Sequence, residues 1–208
     1  MQSKILGLLA LAIVAAPASA SVVAVGAGAF GAGSTLTTFT GLADGTEVNG
    51  LVVDGITFQY SLGDGLVIIN GGPGETNNVS PQNVVSIGDP AGVLTMVLPS
   101  LVNAFGYGFA ILSSDPIASA TTMSLFNGAT AVGSLSFSGA PDPAFAGGFA
   151  GLQSTLAFDR IQVIFSGGPA FALDNIRTAN INVPEPGTLA LLGLGIVGLG
   201  LGRRRKAA

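Results

Sequence analysis

The sequence predicts an all-β fold, a single jelly-roll-type β-sandwich formed by residues 21–183 of the 208-residue chain. Short apolar or alternating segments bounded by Gly, Pro, Asn or Asp recur through this range. No stretch of it has the 3.6-residue period of an amphipathic helix, and Asp-Gly and Asn-Gly pairs supply tight turns. These observations predict one ectodomain between two terminal segments, 1–20 and 184–208.

The predicted strands follow one another at short intervals. They are Leu36–Thr40, Leu51–Val53, Ile56–Ser61, Leu66–Asn70, Val84–Ile87, Val93–Leu98, Ala104–Leu112, Thr121–Phe126, Ala131–Ser138, Arg160–Ser166 and Ala170–Thr178. In 56–60 and 161–165 every second residue is apolar, which predicts one buried and one outward face for each strand. Asp44-Gly45, Asp54-Gly55 and Asp64-Gly65 recur at a ten-residue interval, so residues 44–70 are predicted to form a meander.

Charge is distributed unevenly along the chain. Charged residues make up only 9% of it, against about 25% in an ordinary soluble domain. Residues 21–183 hold ten acids and two bases, Arg160 and Arg177, a net charge of −8, whereas the whole chain carries −4. Phosphate contacts need clustered Lys and Arg, so this composition excludes nucleic acid as a partner of the ectodomain.

Residues 1–20 are predicted to be a cleavable signal peptide. Lys4 gives a short positive start, Ile5–Ala16 is an apolar run, and Ala18 and Ala20 hold the small-residue positions that a signal peptidase needs. We therefore expect cleavage after Ala20 and export through the inner membrane. A buried core helix is the alternative interpretation of an apolar run of this length.

Residues 184–208 combine a Pro-Glu-Pro motif, an uncharged Gly-rich apolar run and a basic cluster. The motif is Pro184, Glu185 and Pro186, the run is 188–202, and the cluster is Arg203, Arg204, Arg205 and Lys206. The cluster follows the positive-inside rule and predicts a transmembrane helix at 188–202 with a cytoplasmic C-terminus. Fifteen helical residues span only about 23 Å of a hydrocarbon core of about 30 Å. Such a short helix without Trp or Tyr anchors favours docking into another membrane protein over permanent anchoring.

In order, spacing and position, these features resemble the PEP-CTERM sorting signal of Gram-negative bacteria. The resemblance implies that an exosortase, an integral-membrane protease of transpeptidase type, reads the tail and cuts near the Pro-Glu-Pro motif. The ectodomain would then be released or transferred to the cell surface or extracellular matrix, with a structural or adhesive role in biofilm or floc. The alternative is a plain single-pass anchor in which Pro-Glu-Pro is a juxtamembrane linker.

A looser resemblance lies inside the ectodomain. Three strings are similar to the lectin-like sandwich domains often attached to this signal: Gly55–Phe58, Ala104–Phe109 and Phe171–Arg177. They imply an alternative function, a carbohydrate-binding module that acts on extracellular polysaccharide. The chain has no Trp, but the rings of Tyr60, Phe105 or Tyr107 could stack on a sugar.

No catalytic site is predicted, and the protein is not expected to be an enzyme. His and Cys are absent and no Lys lies between residues 5 and 205, so the common nucleophile–base pairs and zinc sites cannot form. Most of the acids precede Gly or Pro, as turn formers do.

No cofactor is predicted outright, but calcium would suit the available oxygen ligands. Asp174-Asn175 and the loop 70–78 are its candidate ligands, since Ca²⁺ accepts carboxylate, amide and backbone oxygens. The competing interpretation places Asp159, Arg160, Asp174 and Arg177 in ion pairs between the last two strands. The glycine-rich stretch 26–33 is predicted to be a flexible leader.

Overall fold

The computed structural model describes residues 20–71 and 76–182, and the strands within these ranges form one antiparallel network. The strands are β1 (Val22–Ala24), β2 (Thr35–Thr37), β3 (Val52–Val53), β4 (Ile56–Tyr60), β5 (Leu66–Ile69), β6 (Asn83–Ser86), β7 (Leu94–Ile111), β8 (Ile117–Asn127), β9 (Thr130–Pro141), β10 (Ala146–Phe165) and β11 (Phe171–Ala179). A short 3-10 helix covers Ala27–Ala29. The all-β class and the sandwich are therefore confirmed.

Two long strands, β7 and β10, pair with each other and run through both layers of the sandwich. The first layer contains β4, the first half of β7, the second half of β10, β8 and β9. The second layer contains β5, β6, β11, the second half of β7 and the first half of β10. A register shift between Gln153 and Phe158 interrupts the β7–β10 pairing where the two layers meet. Strands that change layers at such irregularities are typical of sandwich corners.

Aromatic rings fill the space between the layers. Tyr107 is fully buried in β7 and makes edge contacts with Phe105, Phe109 and Phe165, while Phe165 stacks on Phe171 at 3.9 Å. The Tyr107 hydroxyl lies 2.6 Å from Thr121 Oγ1, so its polar end has a partner inside the core. Such rings combine a large buried apolar area with favourable edge geometry.

The alternating segments behave as predicted. Ile56, Phe58 and Tyr60 are buried in β4 and Gln59 is exposed. In β10, residues 161, 163 and 165 are buried, and Ile164 is 43% exposed on the opposite face.

Other predicted elements differ from the structure. The segments 93–98 and 104–112 are parts of one strand, β7, while β1 and the first half of β10 were not predicted. The meander over 44–70 is wrong, because only the Asp54-Gly55 turn joins two paired strands, whereas β4 then pairs with β7 and β5 with β6. Gly147 shows why the sequence did not predict the first half of β10. A Cβ at this position would lie 2.3 Å from the Phe109 carbonyl oxygen, so the position requires glycine. Close backbone approach selects glycine, which carries no strand signal.

The stretch 26–33 is not a flexible leader. Val25 donates its backbone N–H to the Gly151 carbonyl at 2.8 Å. Phe30 is 6% exposed and packs edge-on against Phe149, with ring centroids 5.7 Å apart. One buried aromatic ring therefore fixes a segment whose composition is that of a flexible linker.

The predicted ion pairs are replaced by other contacts. The Arg160 guanidinium lies 4.5 Å from the centre of the Phe126 ring, a cation–π contact. Asp159 accepts a hydrogen bond from the Gly128 amide, and Asp174 accepts one from the Ser80 amide. None of these contacts joins an acid to a base.

Candidate functional site

The two ends of the described chain are fixed on the paired strands β10 and β7. Ser21 exchanges two hydrogen bonds with Thr155, each of 3.0 Å, and β1 pairs with residues 152–154. At the other end, Asn103 holds Ile181 by two bonds of 2.7 Å, one to the Ile181 carbonyl and one from its amide. We call this pair of bonds the exit clamp. It fixes the backbone just before the predicted C-terminal signal.

The predicted processing residues lie almost entirely outside the described residues. Ala20 is the first residue that the structure describes, and it is half-buried. Outside the described ranges are Ala18, Pro184, Glu185, Pro186, the helix 188–202, Arg203, Arg204, Arg205 and Lys206. Within 20–71 and 76–182, no helix has the length and apolar character needed to cross a membrane.

The two candidate calcium elements come together in the structure. Residues 76–82, here called the covering segment, lie over the outer surface of the second layer beside Asp174 and Asn175. Asn175 donates its side-chain amide to the Asn78 carbonyl at 3.0 Å, and the Ser80 amide donates to Asp174 Oδ2 at 3.1 Å. Val79 is 1% exposed and packs with small apolar side chains of β7 and β11. The covering segment is therefore a packed part of the sandwich.

Glycine makes the close fit of this segment possible. A Cβ at Gly108 would lie 1.8 Å from the Asn78 carbonyl oxygen, so only glycine leaves room for that carbonyl. Asp142, in the β9–β10 connection, also anchors Asn78, because its Oδ2 atom accepts a hydrogen bond from the Asn78 side-chain amide at 2.6 Å. Neither Gly108 nor Asp142 was predicted to belong to this site, and Asp142 does more here than form a turn.

Asp174 has an unusual electrostatic environment. It is 1% exposed, and its Oδ1 atom has no hydrogen-bond partner. Burial raises the pKa of Asp174 to about 6, although the backbone amides of Asn175, Ser80 and Phe39 act in the opposite direction. A buried carboxylate in which one of the two oxygens lacks a hydrogen bond favours binding of a proton or a metal cation.

The remainder of the predicted calcium loop is arranged differently. The Asn70 amide donates to Asp44 Oδ1 at 2.7 Å, Asn77 is exposed, and Glu75 lies outside the described residues. In the part of the chain that the structure describes, no three Asp or Glu side chains converge on a common point. Any cation here would depend mainly on amide and backbone oxygens, with Asp174 as the charged ligand.

The rings that the sequence offered for sugar stacking are core residues. Tyr60, Phe105 and Tyr107 are between 0 and 4% exposed, so this part of the carbohydrate-binding prediction is wrong. The error arises because aromatic residues both stack on sugars and fill protein cores, and the sequence alone does not show which face of a strand turns inward. Tyr60 also uses its hydroxyl inside the protein, donating to the Asp89 carbonyl at 2.7 Å.

The outward surface of the first layer is mostly polar, although Val97 and Ile164 are exposed on it as well. One row crosses five paired strands: Gln59, Thr95, Gln162, Ser124 and Ser134. The next row contains Arg160 and Phe126, with the guanidinium over the ring. We call these two rows the polar face.

The nearby cleft of about 280 Å³ at the β8–β9 hairpin and another of about 90 Å³ beside Pro99 are small against the roughly 300–1,000 Å³ of small-molecule sites.

Residues 182–206 match the family model described as the PEP-CTERM protein-sorting motif. The match includes the Pro-Glu-Pro motif, the apolar run and the basic cluster, and it confirms the resemblance drawn from the sequence. It begins one residue after Ile181, the residue that the exit clamp holds. The chain therefore carries a C-terminal sorting signal directly after its sandwich. A search of curated proteins found no match.

Several solved structures are similar in fold. A cleaved adhesin domain of Lys-gingipain has 12% identity and a TM-score of 0.47, covering 72% of this chain and 99% of that chain. A family 29 carbohydrate-binding module has 10% identity and a TM-score of 0.42, covering 74% and 99%. The catalytic domain of a GH87 alpha-1,3-glucanase in complex with nigerose has 16% identity and a TM-score of 0.40, covering 74% of this chain and 29% of that structure.

Proposed function

We propose that this chain is an exported surface protein whose tail is processed by an exosortase. In this proposal, the sandwich has a structural or adhesive role in an extracellular matrix. The observation that carries the proposal is the sorting motif at 182–206, which starts where the folded body ends. Ile181, which the exit clamp fixes, precedes Pro184 by only three residues along the chain.

The surface of the body supports a structural role. Its largest aromatic rings are buried, and its polar face presents Ser, Thr and Gln side chains. Hydroxyl and amide groups hydrate well and form weak multivalent contacts with polymers, whereas a sugar-stacking lectin needs exposed rings. The absence of cysteine from the sequence means that this body folds without disulfides.

Processing is tested by replacing Pro184, Glu185 and Pro186 with alanine in the full chain, expressed in a host that encodes an exosortase. We expect the variant to stay in the membrane fraction with its basic cluster attached, while the wild type reaches the surface or the medium. The matched control replaces Asp115 and Pro116, an exposed acid–proline pair in the β7–β8 turn, and should be sorted normally. Release of the triple variant to the same extent as the wild type would refute the proposal.

A carbohydrate-binding role is the second candidate, and the contact between Arg160 and Phe126 favours it. A guanidinium stacked on a ring, beside amide and hydroxyl groups, offers donors and an apolar edge to a sugar. Retention of the chain on extracellular polysaccharides tests this role, with Arg160→Ala against the exposed control Thr130→Ala. Loss of retention in Arg160→Ala but not in Thr130→Ala would support this role. No retention of the wild type on any polymer, with and without calcium, would refute it.

A further inference from the structure

Two buried oxygen atoms beside the covering segment have no hydrogen-bond donor. They are Asp174 Oδ1 and Asn83 Oδ1, and the two residues are 1% and 0% exposed. Folded proteins satisfy the great majority of buried polar atoms, so two acceptors left without donors in one region indicate a missing electropositive partner.

The two side chains are neighbours across the sheet. In the β6–β11 pairing Ala172 lies opposite Val85 and Leu173 opposite Val84, so the next step of the same register places Asp174 opposite Asn83. Side chains opposite one another share one face of a sheet, with Cβ atoms about 4.5–5.5 Å apart. The two oxygens without donors therefore belong to side chains on the same face of neighbouring strands.

Ser80 connects both side chains to the covering segment. Its amide donates to Asp174 Oδ2 at 3.1 Å, and its carbonyl accepts from the Asn83 side-chain amide at 3.2 Å. Because one polar atom of each side chain is already used in this way, the remaining atom of each is an oxygen acceptor. Asp174 Oδ1 and Asn83 Oδ1 are thus one carboxylate oxygen and one amide oxygen left without a hydrogen-bond donor.

We propose that Asp174 Oδ1 and Asn83 Oδ1 form the nucleus of a calcium site that fixes the covering segment on the second layer. Ca²⁺ binds carboxylate, amide and backbone oxygens in flexible geometry, whereas Mg²⁺ demands a tight octahedron and keeps several waters, which a buried pair accommodates poorly. With a single carboxylate, the affinity belongs at the weak end, about 10⁻⁴–10⁻³ M, as in extracellular modules. The inference is independent of the sorting proposal.

The test is thermal unfolding of the full chain in a mild nonionic detergent at pH 7.5, with EDTA, 5 mM CaCl₂ or 5 mM MgCl₂ at matched ionic strength. Calcium binding to the folded state alone should raise Tm by roughly 3–5 °C at about ten times Kd. Magnesium should give a smaller shift. Asp174→Asn should abolish the response, whereas the exposed control Asp115→Asn should retain it.

A gain-of-affinity variant keeps the test decisive. Asn83→Asp adds a second carboxylate at the same point and should lower the calcium concentration for half-maximal stabilisation about tenfold, because added ligand charge tightens calcium sites. Equal calcium responses in wild type and Asp174→Asn would overturn the proposal. So would the absence of any response in both wild type and Asn83→Asp. If Asp174→Asn has a higher Tm than the wild type and calcium leaves the Tm of the wild type unchanged, the site holds a proton instead of calcium.

Discussion

The position of the covering segment over the second layer can be tested with Gly108→Ala. An added Cβ would lie 1.8 Å from the Asn78 carbonyl oxygen and 2.7 Å from its carbon, both backbone atoms that cannot turn away as a side chain can. The Asn78 backbone must therefore move by more than 1 Å. This displacement breaks the bonds that hold Asn78 to Asn175 and Ser80 to Asp174.

The expected loss follows from those contacts. Two hydrogen bonds contribute about 1 kcal/mol each, and partial exposure of Val79 adds about 1–2 kcal/mol, so the free energy of unfolding should fall by about 3–4 kcal/mol. For a body of this size, such a loss corresponds to a fall in Tm of roughly 6–16 °C.

The assay is urea unfolding followed by circular dichroism, together with hydrogen exchange at residues 76–82. Gly88→Ala is the matched control, because its added Cβ would meet only the Gly65 Cα at 3.7 Å and should change stability by less than about 0.5 kcal/mol. A Gly108→Ala protein within about 1 kcal/mol of wild type would refute the close contact between Asn78 and β7. Unchanged exchange in the covering segment would refute it as well.

Three further predictions concern other contacts. Tyr107→Phe should cost only about 1 kcal/mol in urea unfolding, because Thr121 still donates to the Ile164 carbonyl; a loss above about 3 kcal/mol would contradict this. With calcium chelated, the free energy of unfolding should fall by about 2 kcal/mol as pH rises from 4 to 6, since burial raises the folded-state pKa of Asp174 above that of an ordinary aspartate and the protonated form favours folding. Asp174→Asn should flatten that pH profile, and an unchanged slope would assign it to other groups. Asn103→Leu should speed amide exchange at Ile181, and unchanged exchange would show that the exit clamp does not hold the chain end.

The sequence predicted the parts of the fold in which side chains alternate. Strand β4 is the clearest case, because Ile56, Phe58 and Tyr60 enter the core while Gln59 faces outward. The first half of β10 escaped prediction because backbone packing there selects Ala and Gly, which have low strand propensity. The exposed stretch 99–101 made β7 resemble two strands, although its pairing partners on both sides require one continuous element.

The candidate calcium site was predictable in its residue types only. Asp174, Asn175 and the loop before residue 80 could be named because oxygen-rich residues are recognisable one by one. Asn83 and Gly108 could not, since their roles depend on cross-strand register and on a close approach between distant backbone segments. The sorting signal was fully predictable, because order and spacing along the chain define it without a folded structure.

We expect the sandwich of residues 21–183 to be delivered outside the cell after both terminal segments are removed. The intact mass of the chain recovered from the surface or medium of an exosortase-encoding host tests this most directly. We predict an N-terminus at Ser21 and a C-terminus near Pro184, Glu185 and Pro186. A recovered mass that still includes Arg203–Lys206 would contradict the account.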